Sequence, residues 1–166
     1  MTKAVRGMGV TAAAVLLFST QAFAQATHGG SVTVSAQVNA KAKLTLGSAT
    51  ASFIDADPDT TPLLTAQSAI SIDVKARTGA TDNVTLTVQA GGNLTNGTDT
   101  IPIGNLTWTV TGTNFAAGTM ATTAVSLGSW TGGGSQAGTQ TYKLVNSWDY
   151  KTGTYQATIT YTLTAP

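Results

Sequence analysis

Apolar side chains return at every second position along much of this chain. In TYQATITYTL (154–163), Tyr155, Ala157, Ile159, Tyr161 and Leu163 alternate with Gln156, Thr158, Thr160 and Thr162. Successive side chains of a strand point to opposite faces, so this period leaves one face to bury and one to wet. The same alternation runs through SVTVSAQV (31–38), KLTLG (43–47), AISIDVKA (69–76), NVTLTVQA (83–90) and LTWTVTG (106–112). It is shorter in AVSLGSW (124–130) and TYKLVNSW (141–148). Between these segments lie turn residues, with RTGATD a hairpin-sized loop and GGGSQAG (132–138) a flexible connection that lacks the lysine of a phosphate-binding loop. The pattern predicts an all-β chain: a single antiparallel β-sandwich of about seven or eight strands. The closing segment is expected to be a central strand, with the hydroxyls of Tyr155 and Tyr161 reaching an edge.

Composition supports the same class. Threonine is abundant, and its β-branched side chain suits a pleated surface better than a helix. Only 9% of the 166 residues are charged, and every acid is an aspartate. Lys3 and Arg6 precede the apolar run GVTAAAVLLF, and Ala22-Phe23-Ala24 provides small residues where a signal peptidase cuts. Residues 1–24 therefore read as a cleaved secretory signal and 25–166 as one domain. The protein is expected outside the cytoplasm, extracellular or on the cell surface, passing through the periplasm if the envelope is Gram-negative. No later segment is apolar enough to predict membrane insertion. There is no cysteine, which excludes both a disulfide framework and a lipid-bearing N-terminal cysteine. Without Lys3 and Arg6 the cations and acids nearly balance, and no basic stripe points to nucleic acid.

Residues able to do chemistry are sparse. The single histidine, His28, stands beside Gly29-Gly30, and there is neither thiol nor glutamate. General acid–base or nucleophilic catalysis needs convergent titratable groups, so the chain is read as non-enzymatic and without a cofactor. Asp55, Asp57 and Asp59 in FIDADPDTTP supply hard oxygens of the kind calcium takes. The spacing fails an EF-hand, because Thr60 and Ala66 occupy its glycine and glutamate positions, and the alternative is a solvated turn ended by Pro58 and Pro62. Trp108 is in phase with Leu106 and Val110 and is expected in the core. Trp148 and Tyr150, in NSWDYKTG, are candidates for stacking on a ligand such as a sugar, against the alternative that this hairpin folds onto the core.

GGSVTVSAQVNAKAKLTLGS resembles the opening of the spore coat protein U and archaic chaperone–usher pilin group. AISIDVKARTGATDNVTLTVQAG is similar to the next hairpin of that group, and GTYQATITYTL to its closing strand. Members usually carry a cysteine pair joining the first strand to the hairpin, and this chain has none. The resemblance implies an immunoglobulin-like or pilin-like sandwich whose N-terminal segment is donated to a neighbouring subunit. Val32, Val34, Ala36 and Val38 would then be the self-association residues, and the partner would be another copy of the chain. Alternatively, 31–38 is the first strand of a self-contained sandwich. A second resemblance is to the WxL cell-wall-binding domain, carried by Trp108-Thr109-Val110 and by Tyr155 to Ile159 before YTLTAP. It implies a module that binds a cell-envelope component, with Trp148 and Tyr150 as candidate contacts.

Overall fold

The computed structural model describes residues 31–166. The signal-like segment 1–24 and His28 lie outside the described residues. The chain divides after Ala36, and the second unit, Gln37–Pro166, holds every strand described below. The strands are β1 (Lys41–Leu46), β2 (Leu63–Thr65), β3 (Ile70–Arg77), β4 (Asn83–Ala90), β5 (Leu94–Asn96) and β6 (Asp99–Ile101). After a 3₁₀ turn at Ile103–Asn105 come β7 (Leu106–Thr111), β8 (Gly118–Thr119), β9 (Val125–Thr131), β10 (Gly134–Val145) and β11 (Ile159–Thr164).

The unit is all-β, with two antiparallel sheets packed face to face. One sheet has the order β1-β3-β10-β7-β8, with β2 also on β10; the other has the order β11-β4-β9. β5 and β6 form a small hairpin of their own. The long β10 organises the larger sheet. Its first half pairs with β3 and its last three residues with β2, so β3 and β2 lie end to end along one side, while β7 takes the other.

Alternation builds the core directly. In β3 the residues Ile70, Ile72, Val74 and Ala76 are buried while their neighbours are exposed. Val84, Leu86 and Val88 of β4 answer them from the second sheet, with Trp108, Leu127 and Tyr142 completing the layer. Burying side chains of this size contributes about 1.5–3 kcal/mol each relative to exposure.

The two long sides of the sandwich differ. Along the β8–β9 side the sheets are tied together. Phe115 bridges to Gly128, Ala116 N–H donates to Leu127 O, and Trp108 Nε1 donates to Ala116 O at 2.9 Å. Along the other side β1 and β11 are both sheet edges, near each other but without a ladder between them.

Several expectations need correction. Residues 31–40 form no strand and take part in no ladder, and Val32, Val34 and Val38 are exposed. The closing strand is an edge strand rather than a central one, and its ladder begins at Ile159, with only an isolated bridge at Gln156 before it. Five of the seven residues of GGGSQAG belong to β10. Gly134 to Gly138 pair with Ala76 to Ile72, which backbone groups do without side chains. A Cβ on Gly138 would collide with Thr111 O and the Phe115 ring, so the glycine marks a close approach in a strand. The strand count reaches eleven because β2, β5, β6 and β8 are two or three residues long, too short for alternation to register.

Candidate functional site: the open seam between β1 and β11

Where neither sheet continues, the inward side chains lack a cover. Leu44 and Leu46 of β1 and Ile159, Tyr161 and Leu163 of β11 point toward the core but stay half-buried. The seam widens into a groove of about 1800 Å³ floored by Ile70, Leu106, Tyr142 and Leu144 of the larger sheet. Phe53, from the extended segment after β1, and Tyr155, from the segment before β11, form further parts of its wall. Both edge strands present backbone N–H and C=O groups along this opening, a row that ordinarily invites another strand.

One polar network is buried beneath the seam, while Asp55, Asp57 and Lys151 line the groove toward its mouth. Tyr161 O–H donates to Gln140 Oε1 at 2.6 Å, and Tyr161 lies 2.7 Å from the Tyr142 hydroxyl. A phenol has a single proton, so Tyr142 is the donor in the second bond. Gln140 is fully buried, and its Nε2 has no partner. Burial, and then the neighbouring Tyr161, push the Tyr142 phenol well above its ordinary value. Burial also raises Tyr161, while its bond to Tyr142 acts the other way. The expected route of the Tyr161 hydroxyl to an edge is therefore wrong: a polar partner on the opposite sheet draws it inward. Tyr155 does reach outward, donating to Lys151 O.

Of the sequence-derived candidates, Asp55, Asp57, Trp148 and Tyr150 line this groove without converging on one point. Asp57 Oδ1 accepts from Asp59 N–H, and Asp57 O accepts from Thr60 and Thr61, so the DADPDT loop is a hydrogen-bonded turn. Among the described residues no three acidic or histidine side chains gather closely enough to hold a metal, and Asp55, Asp57 and Asp59 do not form such a group. Trp148 is 69% exposed, with its Nε1 donating to Asp59 Oδ1 at 3.1 Å. It does not fold onto the core, and just before it Asn146 Nδ2 donates to Ala56 O and Thr61 O at the end of β10. Tyr150 is half-buried, and its hydroxyl accepts from Asn105 Nδ2. Both aromatics border the groove. Val32, Val34, Ala36 and Val38 are all exposed. The seam itself escaped sequence reading. Alternation marks a strand with one buried face, and it is silent on whether that strand has one hydrogen-bonded neighbour or two.

No family model matches the sequence, and no curated protein matches it. The groove has an apolar floor and polar walls that include Ser52, Asp55, Asp57, Asn146 and Lys151.

Proposed function

We propose that this protein is a non-enzymatic, secreted or surface-displayed structural subunit that assembles by strand donation. In this reading residues 31–38 of one copy enter the seam between β1 and β11 of the next. The observation that carries it is a match of needs. The sandwich has two facing edges with half-buried apolar side chains and unpaired backbone. The chain also carries an alternating apolar segment whose Val32, Val34 and Val38 are exposed. Eight residues at about 3.3 Å each span some 26 Å, enough to run past either edge strand.

The test is light scattering after size exclusion, with electron microscopy of the same fractions, on the wild-type chain and on Val34→Asp. Wild-type multiples or filaments that Val34→Asp abolishes, with the circular dichroism melt retained, support the reading. Undiminished polymerisation of the variant would rule out donation through this segment.

The exposure of Trp148 favours a second reading, attachment to a cell-wall glycan. It predicts a monomer that co-sediments with peptidoglycan and is released by Trp148→Ala. Retained binding in a folded variant would remove Trp148 as the contact.

A further inference from the structure

The six cations between residues 31 and 166 are not spread evenly. In the β1–β3 ladder Lys41 stands opposite Arg77 and Lys43 opposite Lys75, and all four are exposed. Directly opposed residues share a face of the sheet, so two like-charged pairs on alternate rungs lie side by side on one face, an arrangement that destabilises an isolated sheet. Asp73, two residues along β3 from Lys75, is the acid of the same ladder. Asp82 is engaged by Thr78 Oγ1 and Gly79 N–H in the following turn. Arg77 Nε also donates to Asn39 O at 2.9 Å, which places the cluster where the chain enters β1.

Four of the seven acids, Asp55, Asp57, Asp59 and Asp149, collect at the opposite end of the same sheet. β10 starts beside Ala76 and runs twelve residues, about 40 Å, to Val145. Beyond it the exposed Asp149 follows Trp148, which is tied to Asp59, while Asp55 and Asp57 line the groove nearby. Lys151 in the same mouth offsets one of these four charges, and Lys143 lies farther back on β10, opposite Thr65 and Thr107. The sheet thus has a cationic end and an anionic end, and the groove opens at the anionic one.

From these facts, and resting on the strand-donation reading, we infer that the cationic end of one copy docks against the anionic groove mouth of the next and so sets the direction of assembly. The linker is short: only Asn39 and Ala40 separate Val38 from Lys41, a reach of about 10 Å. Once residues 31–38 are seated, the donor's Lys41–Arg77 cluster must lie close to one end of the acceptor's groove. Which end depends on orientation. β11 runs from the anionic mouth, where Thr158 and Ile159 line the groove, toward the cationic end, and β1 runs the other way. A donor antiparallel to β11 leaves Val38 at the anionic mouth, where the two charge clusters attract. A donor antiparallel to β1 instead brings two cationic ends together. Every ladder in this fold is antiparallel, so the backbone permits either choice, and like-charge repulsion removes the second.

The experiment follows polymer growth by light scattering at low and high salt for wild type, Val34→Asp, the pair Lys43→Asp with Lys75→Asp, the pair Asp55→Lys with Asp149→Lys, and the chain carrying all four charge reversals. Each pair should slow growth by about tenfold at low salt and lose that penalty at high salt, as for other steered encounters. The fourfold variant, with its polarity inverted and weaker but complementary again, should recover part of the wild-type rate and outgrow either pair. Growth that Val34→Asp blocks but either pair leaves unchanged would overturn this docking while sparing strand donation. So would a folded fourfold variant no faster than the pairs. Absence of wild-type assembly, or normal growth of Val34→Asp, would overturn both.

Discussion

Tyr142 and Tyr161 meet hydroxyl to hydroxyl, 2.7 Å apart, across the two sheets of the sandwich. Tyr161 belongs to an edge strand, so this contact, with its extension to Gln140, adds a polar tie from β11 to the opposite sheet beside the open seam. Tyr161→Phe leaves Gln140 Oε1 without its donor and Tyr142 without its acceptor. The expected loss is about 1–3 kcal/mol in urea unfolding. Gln140→Leu should cost less, since it also removes an amide nitrogen that has no partner. A larger loss in Gln140→Leu than in Tyr161→Phe would contradict this account.

The same pair sets an alkaline limit. Both phenols are raised in the folded state, chiefly by burial, so folding disfavours their ionised forms. Their contribution is complete below the unfolded value of about 10 and is lost as pH climbs from there toward the folded values. Thermal melts at constant ionic strength should be nearly flat up to that point and fall above it. Tyr161→Phe should fall less steeply, and an identical alkaline slope in the variant would assign the loss to other groups.

Gly118→Ala should destabilise the closed side of the sandwich. A Cβ there would stand 2.5 Å from the Trp108 ring, and Trp108 is only 1% exposed, with its Nε1 already committed to Ala116 O. The ring cannot move aside without giving up that bond. Overpacking of this kind costs about 1–3 kcal/mol, readable in the denaturation midpoint. An unshifted midpoint would show that the ring has more room than the geometry allows.

A synthetic SVTVSAQV peptide added to the Val34→Asp chain should raise its melting temperature in a concentration-dependent way, because a ligand that binds only the folded state stabilises by mass action. A peptide with aspartate at the position of Val34 should have no effect. Equal stabilisation by both peptides would argue against apolar side chains filling the seam.

Trp148→Ala should leave stability within about 0.5 kcal/mol of wild type, as expected of an exposed residue whose side-chain bond is to another exposed group. A markedly lower melting temperature would mean that the Trp148–Asp59 bond holds the groove mouth together.

Much of this architecture is visible before folding. NVTLTVQA coincides with β4, and AISIDVKA and LTWTVTG miss β3 and β7 by one residue at the ends. A period of two leaves these segments a single way to bury their apolar side chains. Trp108 was in phase with its neighbours for the same reason, and it lies in the core. Segments whose structure depends on distant partners are a different matter. Gly134 to Gly138 have almost no side-chain signal, yet they pair because β3 supplies a complementary backbone. SVTVSAQV has a strong signal and forms no strand, because a strand also requires an edge to pair with.

Sequence alone therefore determined the class of the protein: all-β, built of strands with one apolar face, without cysteine and sparse in catalytic groups. Only the tertiary structure decided that β1 and β11 are edges left facing an open groove, and that scattered cations and acids separate to opposite ends of one sheet. Alternation is a local property, written by each residue's need for burial. Edge position, groove and charge polarity arise from which backbones meet across long separations in the chain, and no short stretch of residues records that.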